Sequence, residues 1–208
     1  MAEYAYMSEV DPEFAPYLPM FENLPPVFDV ELRRKRFREV FTEAGAKTYG
    51  PRVPADGTYV VANHEIEVEP GIFIRARSVA PKNHDDPDKT YPLMVWMHGG
   101  GIVSLVLGLF VCVLTIHSAG WVSGDLETDD LALRAISHDV QIAVLNVEYR
   151  SSGDIPRKSI KWAATNAKLL NADLRKGFLL GGLSAGAHLT AVLSHSVRDD
   201  PFFKDYSS

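Results

Sequence analysis

Two short stretches carry residue types that could do chemistry together. Gly182-Leu183-Ser184-Ala185-Gly186 matches G-x-S-x-G, a turn that lifts a serine hydroxyl between a strand and a helix. Glycine suits both flanks, because such a turn is strained and the helix passes so close to the strand that a Cβ has no room. His98-Gly99-Gly100-Gly101 is the second stretch. Acyl transfer builds negative charge on a former carbonyl oxygen, and a glycine run lets bare N–H groups converge on it. The Ala185 N–H, at a helix start whose dipole favours negative charge, would complete such a hole. Either stretch alone also fits an ordinary glycine-rich turn. By composition, a chain of this length shows G-x-S-x-G roughly 7% of the time and His-Gly-Gly-Gly on the order of 0.2%. Both in this order, each after an apolar run, therefore point to acyl transfer.

The elements that must position these residues are legible as apolar runs. Leu93 to Met97 precedes the glycine loop, Phe178 to Leu180 precedes the serine, and Val140 to Val147 lies between them. Continuous apolar runs suit strands buried on both faces of a parallel sheet. Helical spacing predicts helices over Leu126 to Ser137, Ser159 to Leu170 and Ala185 to Val197. Thr58 to Ala62, Glu65 to Glu69 and Ile72 to Ala76 predict short strands, the last two joined by Glu69-Pro70-Gly71 as a hairpin turn. Pro81 to Asp88 reads as a surface loop. Before them a proline-rich, aromatic stretch over the first 30 or so residues predicts an extended arm. A helix over Glu31 to Thr42 follows, with Phe37, Val40 and Phe41 on one stripe and Val30 in line just before it. Its Arg33-Arg34-Lys35-Arg36 run reads as a solvated face. Strand, helix, strand, helix, strand predicts an α/β fold with parallel pairing.

Composition narrows the function. The chain has 208 residues with 21 Lys plus Arg against 27 Asp plus Glu, a net charge of −6, and no basic stripe for nucleic acid. One cysteine, Cys112, allows no intramolecular disulfide framework or Cys-rich zinc site. Cys112 itself reads as apolar filler. His64, His84, His117 and His138 lack ligand spacing and read as surface or loop residues, so neither a metal nor a cofactor is expected. Met1 to Asp11 is acidic, which predicts no secretory signal and a cytoplasmic protein. Ile102 to Ile116 is uncharged over 15 residues, short of the roughly 17 to 20 of a membrane span and without basic anchors. It disfavours a membrane protein and leaves a buried core segment or an insertion.

The sequence resembles the α/β-hydrolases of the hormone-sensitive-lipase type, the fold-3 group, and its fungal esterase-like members in particular. The resemblance runs from about Val60 to Asp200. It rests on His98 to Gly101, Trp121-Val122-Ser123-Gly124-Asp125, Val147-Glu148-Tyr149-Arg150 and Gly182 to Gly186. It implies an α/β-hydrolase three-layer sandwich on a mostly parallel sheet, incomplete at the C-terminus, and a carboxylic ester hydrolase with a small-molecule ester substrate, Ser184 as nucleophile, and Gly100, Gly101 and Ala185 as oxyanion donors. His98 would orient that loop, with Gly99, Gly182 and Gly186 in support, and Arg150 would be structural. It divides the chain into an N-terminal arm and lid-like helix over 1–57 and a partial hydrolase domain over 58–208. Oligomeric state is open.

Four departures from the family stand out. Leu183 replaces a frequent Asp, at a position that is tolerant because its side chain is outside the triad. Residues 102–120 separate Gly101 from Trp121 where the family runs almost straight on. That stretch of 19 residues corresponds to 57 nucleotides and predicts a retained intron translated in frame. After Tyr149-Arg150 a proline-rich stretch is replaced by Ser151 to Pro156, which predicts a short deletion at one pocket wall. The family's acid and base come well downstream, yet 24 residues follow Ser184 here, predicting a truncated chain. They offer Asp199, Asp200 and Asp205 as acids, and His188 and His195 as bases; His188 lies at i+4 on the serine's helix face, while His195 is about 16 Å along the helix, out of reach. Two readings other than an enzyme follow: an inactive remnant, or a small-molecule binding protein, as in plant gibberellin receptors of the same family.

Overall fold

A computed structural model describes residues 10–19, 29–100, 124–149 and 154–206. The expectations for residues 102–120, Gly101, Cys112, His117, Trp121 to Ser123 and Arg150 to Gly153 lie outside the described residues. Five strands form one mixed sheet: β1 (Tyr59–Glu69), β2 (Ile72–Pro81), β3 (Leu93–Met97), β4 (Ala143–Val147) and β5 (Phe178–Gly182), in the order β1-β2-β4-β3-β5. β1 and β2 form an antiparallel hairpin and β2 joins β4 antiparallel, whereas β3 pairs parallel with both β4 and β5. β1 is one strand where the sequence predicts two, because Asn63 and His64 stay in register opposite Arg77 and Ala76. β4 starts three residues later than predicted: the helix before it runs through Val140, and Gln141 turns the chain at φ 56°.

The helices are α1 (Val30–Phe37), α2 (Glu43–Tyr49), α3 (Asp130–Val140), α4 (Ile155–Thr165) and α5 (Ala185–Asp199). α3 starts four residues later than predicted and α4 starts and ends earlier, its last predicted turn forming a separate 3-10 helix over Ala167–Leu170. Strand residues alternate between two cores. Leu93, Val95 and Met97 join Leu145 and Val147 in a large core with Ile160 of α4 and Val197 of α5. Met94, Trp96 and Val144 face the other way, onto Leu133 and Ile136 of α3. Helices thus cover both faces, giving the three layers. Each fully buried Leu or Ile in these cores contributes about 1.5–3 kcal/mol.

The N-terminal helix departs from the predicted stripe. α1 passes into a π-helical segment, Arg38–Thr42, where the Glu43 N–H bonds to Arg38 O, and then into α2. Phe37, before the wider turn, is buried, but the turn shifts the phase of the helix after it, so Val40 is 56% exposed and Phe41, its ring 4.8 Å from that of Phe37 and tilted by 31°, is half exposed. The helices rest on the α3 side of the sheet. Arg38 reaches Asp125 at 3.4 Å, and Gly45 lies against Thr128. The described part of the arm, 10–19, is an exposed turn followed by a 3-10 helix at Ala15–Tyr17.

Charge holds α3 in place. The buried Asp130 carboxylate takes Arg77 of β2 at 3.0 Å and Arg134 at 2.6 Å, and Glu127 pairs with the same Arg77 at 2.8 Å. The Arg77 hydrogen bond holds the Glu127 carboxyl below its ordinary pKa. The Trp96 indole N–H donates to Asp129 at 2.8 Å, tying β3 to the start of α3.

Candidate active site

Met97 and Gly182 pair in register at the ends of the neighbouring strands β3 and β5, so the residues that follow them emerge side by side. His98, Gly99 and Gly100 leave β3 buried, and Ser184 stands exposed at the turn into α5. Its backbone sits at φ 52°, ψ −115°, a region L-residues rarely occupy. The turn is closed by Gly186 N–H to Leu183 O at 2.8 Å and His188 N–H to Ser184 O at 3.0 Å. The Thr190 hydroxyl, 2.7 Å from Gly186 O and 3.1 Å from Gly181 O, ties the first turn of α5 back to β5.

The flanking glycines are needed for close approach. A Cβ on Gly182 would lie 2.5 Å from the Gly186 carbonyl carbon, and one on Gly186 would collide with Met97 O and lie 2.6 Å from His98 O. Backbone meets backbone there, and no side-chain adjustment could make room.

The glycine loop is held from several sides. The His98 ring is 3% exposed, its Nδ1 is 2.7 Å from Gly99 O, and its Nε2 is buried without a partner. A carbonyl can only accept, so Nδ1 carries the proton. Tyr149 stacks on this ring at 4.7 Å between centroids, 25° between planes, and its hydroxyl donates to His98 O at 2.8 Å. Burial, with a smaller push from Asp129, raises the Tyr149 phenol to about 12. Gly124, at φ 87°, packs so closely that a Cβ there would collide with Gly99 O and lie 2.8 Å from His98 Nδ1. A Cβ on Gly99 would lie 3.4 Å from Leu183 Cδ2, so the residue before the serine, read from sequence as tolerant, borders the loop.

The sequence-predicted His98, Gly99, Gly100, Gly182, Ser184, Ala185 and Gly186 thus gather at one end of two adjacent strands. Asp199 and Asp200 do not join them. Asp199 pairs with Arg198 at 2.8 Å at the far end of α5, and the next residue, Asp200, lies between Arg157 at 2.6 Å and Lys161 at 2.7 Å. His64 corrects the surface reading given to it: it is half-buried on β1, with Nε2 2.8 Å from Ser78 Oγ and its ring 5.5 Å from Trp162. The alternation that buries Ile66 and Val68 on β1 gave no sign of the Ser78 partner, which depends on hairpin register. Tyr149 and Gly124 were visible only as motif letters, and neither was assigned a contact with the glycine loop. Among the described residues no group of three or more His, Cys, Asp or Glu could hold a metal ion.

The sequence model of a family described as "alpha/beta hydrolase fold" matches residues 113–204. The chain has the α/β-hydrolase fold. Its likeness is to the fold-3, esterase-type members. Versiconal hemiacetal acetate esterase of Dothistroma septosporum is 36% identical over 97 residues, 43% of this chain and 29% of that protein. Carboxylic ester hydrolase LipN of Mycobacterium tuberculosis is 31% identical over 109 residues, 49% of this chain and 27% of that protein. The crystal structure of vibralactone cyclase superposes with a TM-score of 0.76 at 34% identity, covering 96% of this chain and 55% of that one. The chain therefore spans about half the length of the solved relative, and the curated matches cover under a third of theirs. No helix among the described residues is long and apolar enough to cross a membrane.

Proposed function

We propose that the chain carries the nucleophile and oxyanion hole of a serine hydrolase acting on small carboxylic esters. The observation that carries this reading is Ser184 at φ 52°, ψ −115°, raised between two glycines at the β5–α5 turn beside the buried glycine loop. The Ser184 Oγ would attack the ester carbonyl, and the Gly100, Gly101 and Ala185 N–H groups would receive the oxygen as it becomes negative. Loss of the alcohol leaves an acyl-serine, which water then hydrolyses. In this reading residues 58–208 are the hydrolase unit, and 1–57 an arm and lid-like helix.

A serine hydroxyl is a weak nucleophile until a base takes its proton. Asp199 and Asp200 are each held by cations away from Ser184, which favours a second reading: a protein that binds a small ester or lactone at the glycine loop without turning it over. One experiment separates the two. Hydrolysis of p-nitrophenyl butyrate by the wild type and Ser184→Ala is followed, together with the intact mass after treatment with diethyl p-nitrophenyl phosphate. The enzyme reading expects turnover and a diethylphosphoryl adduct on Ser184, both lost in the variant. Equal rates in the two proteins and no adduct would overturn it, and saturable ester binding without turnover would establish the second reading.

A further inference from the structure

We infer that Tyr149 is a positioning residue for the glycine loop, acting through His98 to fix the direction of the Gly100 N–H. The inference rests on the reading of that loop as an oxyanion hole and deepens it. Consecutive glycines have the greatest backbone freedom of any residues, so Gly99 and Gly100 cannot aim an N–H group by themselves. Their orientation has to come from what touches them.

The contacts form a chain with one outcome. The His98 Nδ1–H donates to Gly99 O at 2.7 Å. In a trans peptide the C=O and the following N–H point in opposite directions, so fixing Gly99 O aims the Gly100 N–H. This holds only while the imidazole keeps its place. Tyr149 supplies that restraint twice: its ring stacks on the imidazole at 4.7 Å, and its hydroxyl holds His98 O at 2.8 Å. Gly124 stands against the same hydrogen bond, and a Cβ on it would collide with Gly99 O and lie 2.8 Å from His98 Nδ1. The carbonyl is therefore held by the imidazole and crowded by Gly124. Tyr149 lies just beyond β4, which pairs along its length with β3, so the restraint is built on the sheet itself. Burial, which raises the phenol, keeps the Tyr149 hydroxyl protonated and able to donate.

Tyr149→Phe removes the hydroxyl and keeps the ring, and glycine-selective 15N labelling of the full chain reports on the loop. In the wild type the Gly99 and Gly100 amides are expected to have order parameters near 0.85. In Tyr149→Phe they should fall below about 0.6 while Gly181 in β5 is unchanged. With p-nitrophenyl butyrate kcat should fall about 10- to 100-fold at constant KM, since a misplaced group of about 1 Å can cost as much. Gly124→Ala, whose methyl would push into the same carbonyl and the imidazole, should give the same pattern. Order parameters unchanged in both variants would overturn the inference. So would loosened glycines with a wild-type kcat in a protein whose Ser184→Ala variant is inactive. If Ser184→Ala hydrolyses the ester as fast as the wild type, the hydrolase reading fails, while the order parameters still decide whether Tyr149 holds the loop.

Discussion

The first turn of α5 is fixed by bare backbone: Gly182 against Gly186, Gly186 against Met97 O and His98 O, and one hydroxyl, Thr190, sewing the turn to β5. The end of the same helix is fixed by charge and rings. Asp200 sits between Arg157 and Lys161, its oxygen accepts the Phe202 N–H at 3.0 Å, and Phe203 stacks on Phe178 at 5.9 Å. Close backbone contact has one geometry, and any added atom destroys it. Salt links and aromatic faces tolerate small shifts. The end that carries the candidate nucleophile has the unforgiving kind of attachment, and the end remote from chemistry has the forgiving kind.

Substitutions can break this contrast. Gly186→Ala should do the most damage, because its methyl would meet two backbone carbonyls that cannot move without displacing β3. We expect a loss of more than about 4 kcal/mol in urea unfolding. An unfolding free energy within about 1 kcal/mol of wild type would show that the two segments slide apart easily.

At the other end Asp200→Asn should lower the melting temperature at pH 7 by several degrees and leave the glycine loop intact. The Lys161 hydrogen bond, then the Phe202 N–H and Arg157, hold the Asp200 carboxyl far below its ordinary pKa. A depressed carboxyl contributes stability above its unfolded value of about 3.9 and loses it as pH falls toward the folded value. The gap between wild type and variant should therefore shrink on acidification below about pH 4. A gap that stays constant with pH would remove the ionic account of this anchor.

The smallest effect belongs to His64, remote from both ends of α5. Burial lowers its pKa, so the unfolded chain takes up the proton first. Stability from this group is complete above the unfolded value of about 6.5 and declines as pH falls through it. His64→Gln should flatten the dependence of melting temperature on pH between about 7.5 and 5.5. An unchanged slope would assign that dependence to other groups.

How much of this was legible in the sequence follows from how local each signal is. Gly182 to Gly186 and His98 to Gly100 could be read because each needs its glycines within a few residues, and their apolar strands announce themselves as runs. Element ends were less legible: Gln141 and Asn171 stop their helices in left-handed conformations that carry no glycine to mark them. Val40 was misplaced because a π-helical turn shifts the phase in a way that a fixed 100° per residue cannot anticipate. Tyr149 and His98 are 51 residues apart, and Ser78 meets His64 only through the hairpin register, so neither pairing leaves a local trace.

The backbone of Ser184 carries a cost that glycine would not. Glycine is the residue that would sit at φ 52° and ψ −115° without strain, whereas alanine would keep the strain and lose the hydroxyl. Ser184→Gly should accordingly melt at a higher temperature than Ser184→Ala, and under the proposed function both lose hydrolysis. Folding alone favours glycine at this position, so a serine there costs robustness, as the proposed nucleophile would.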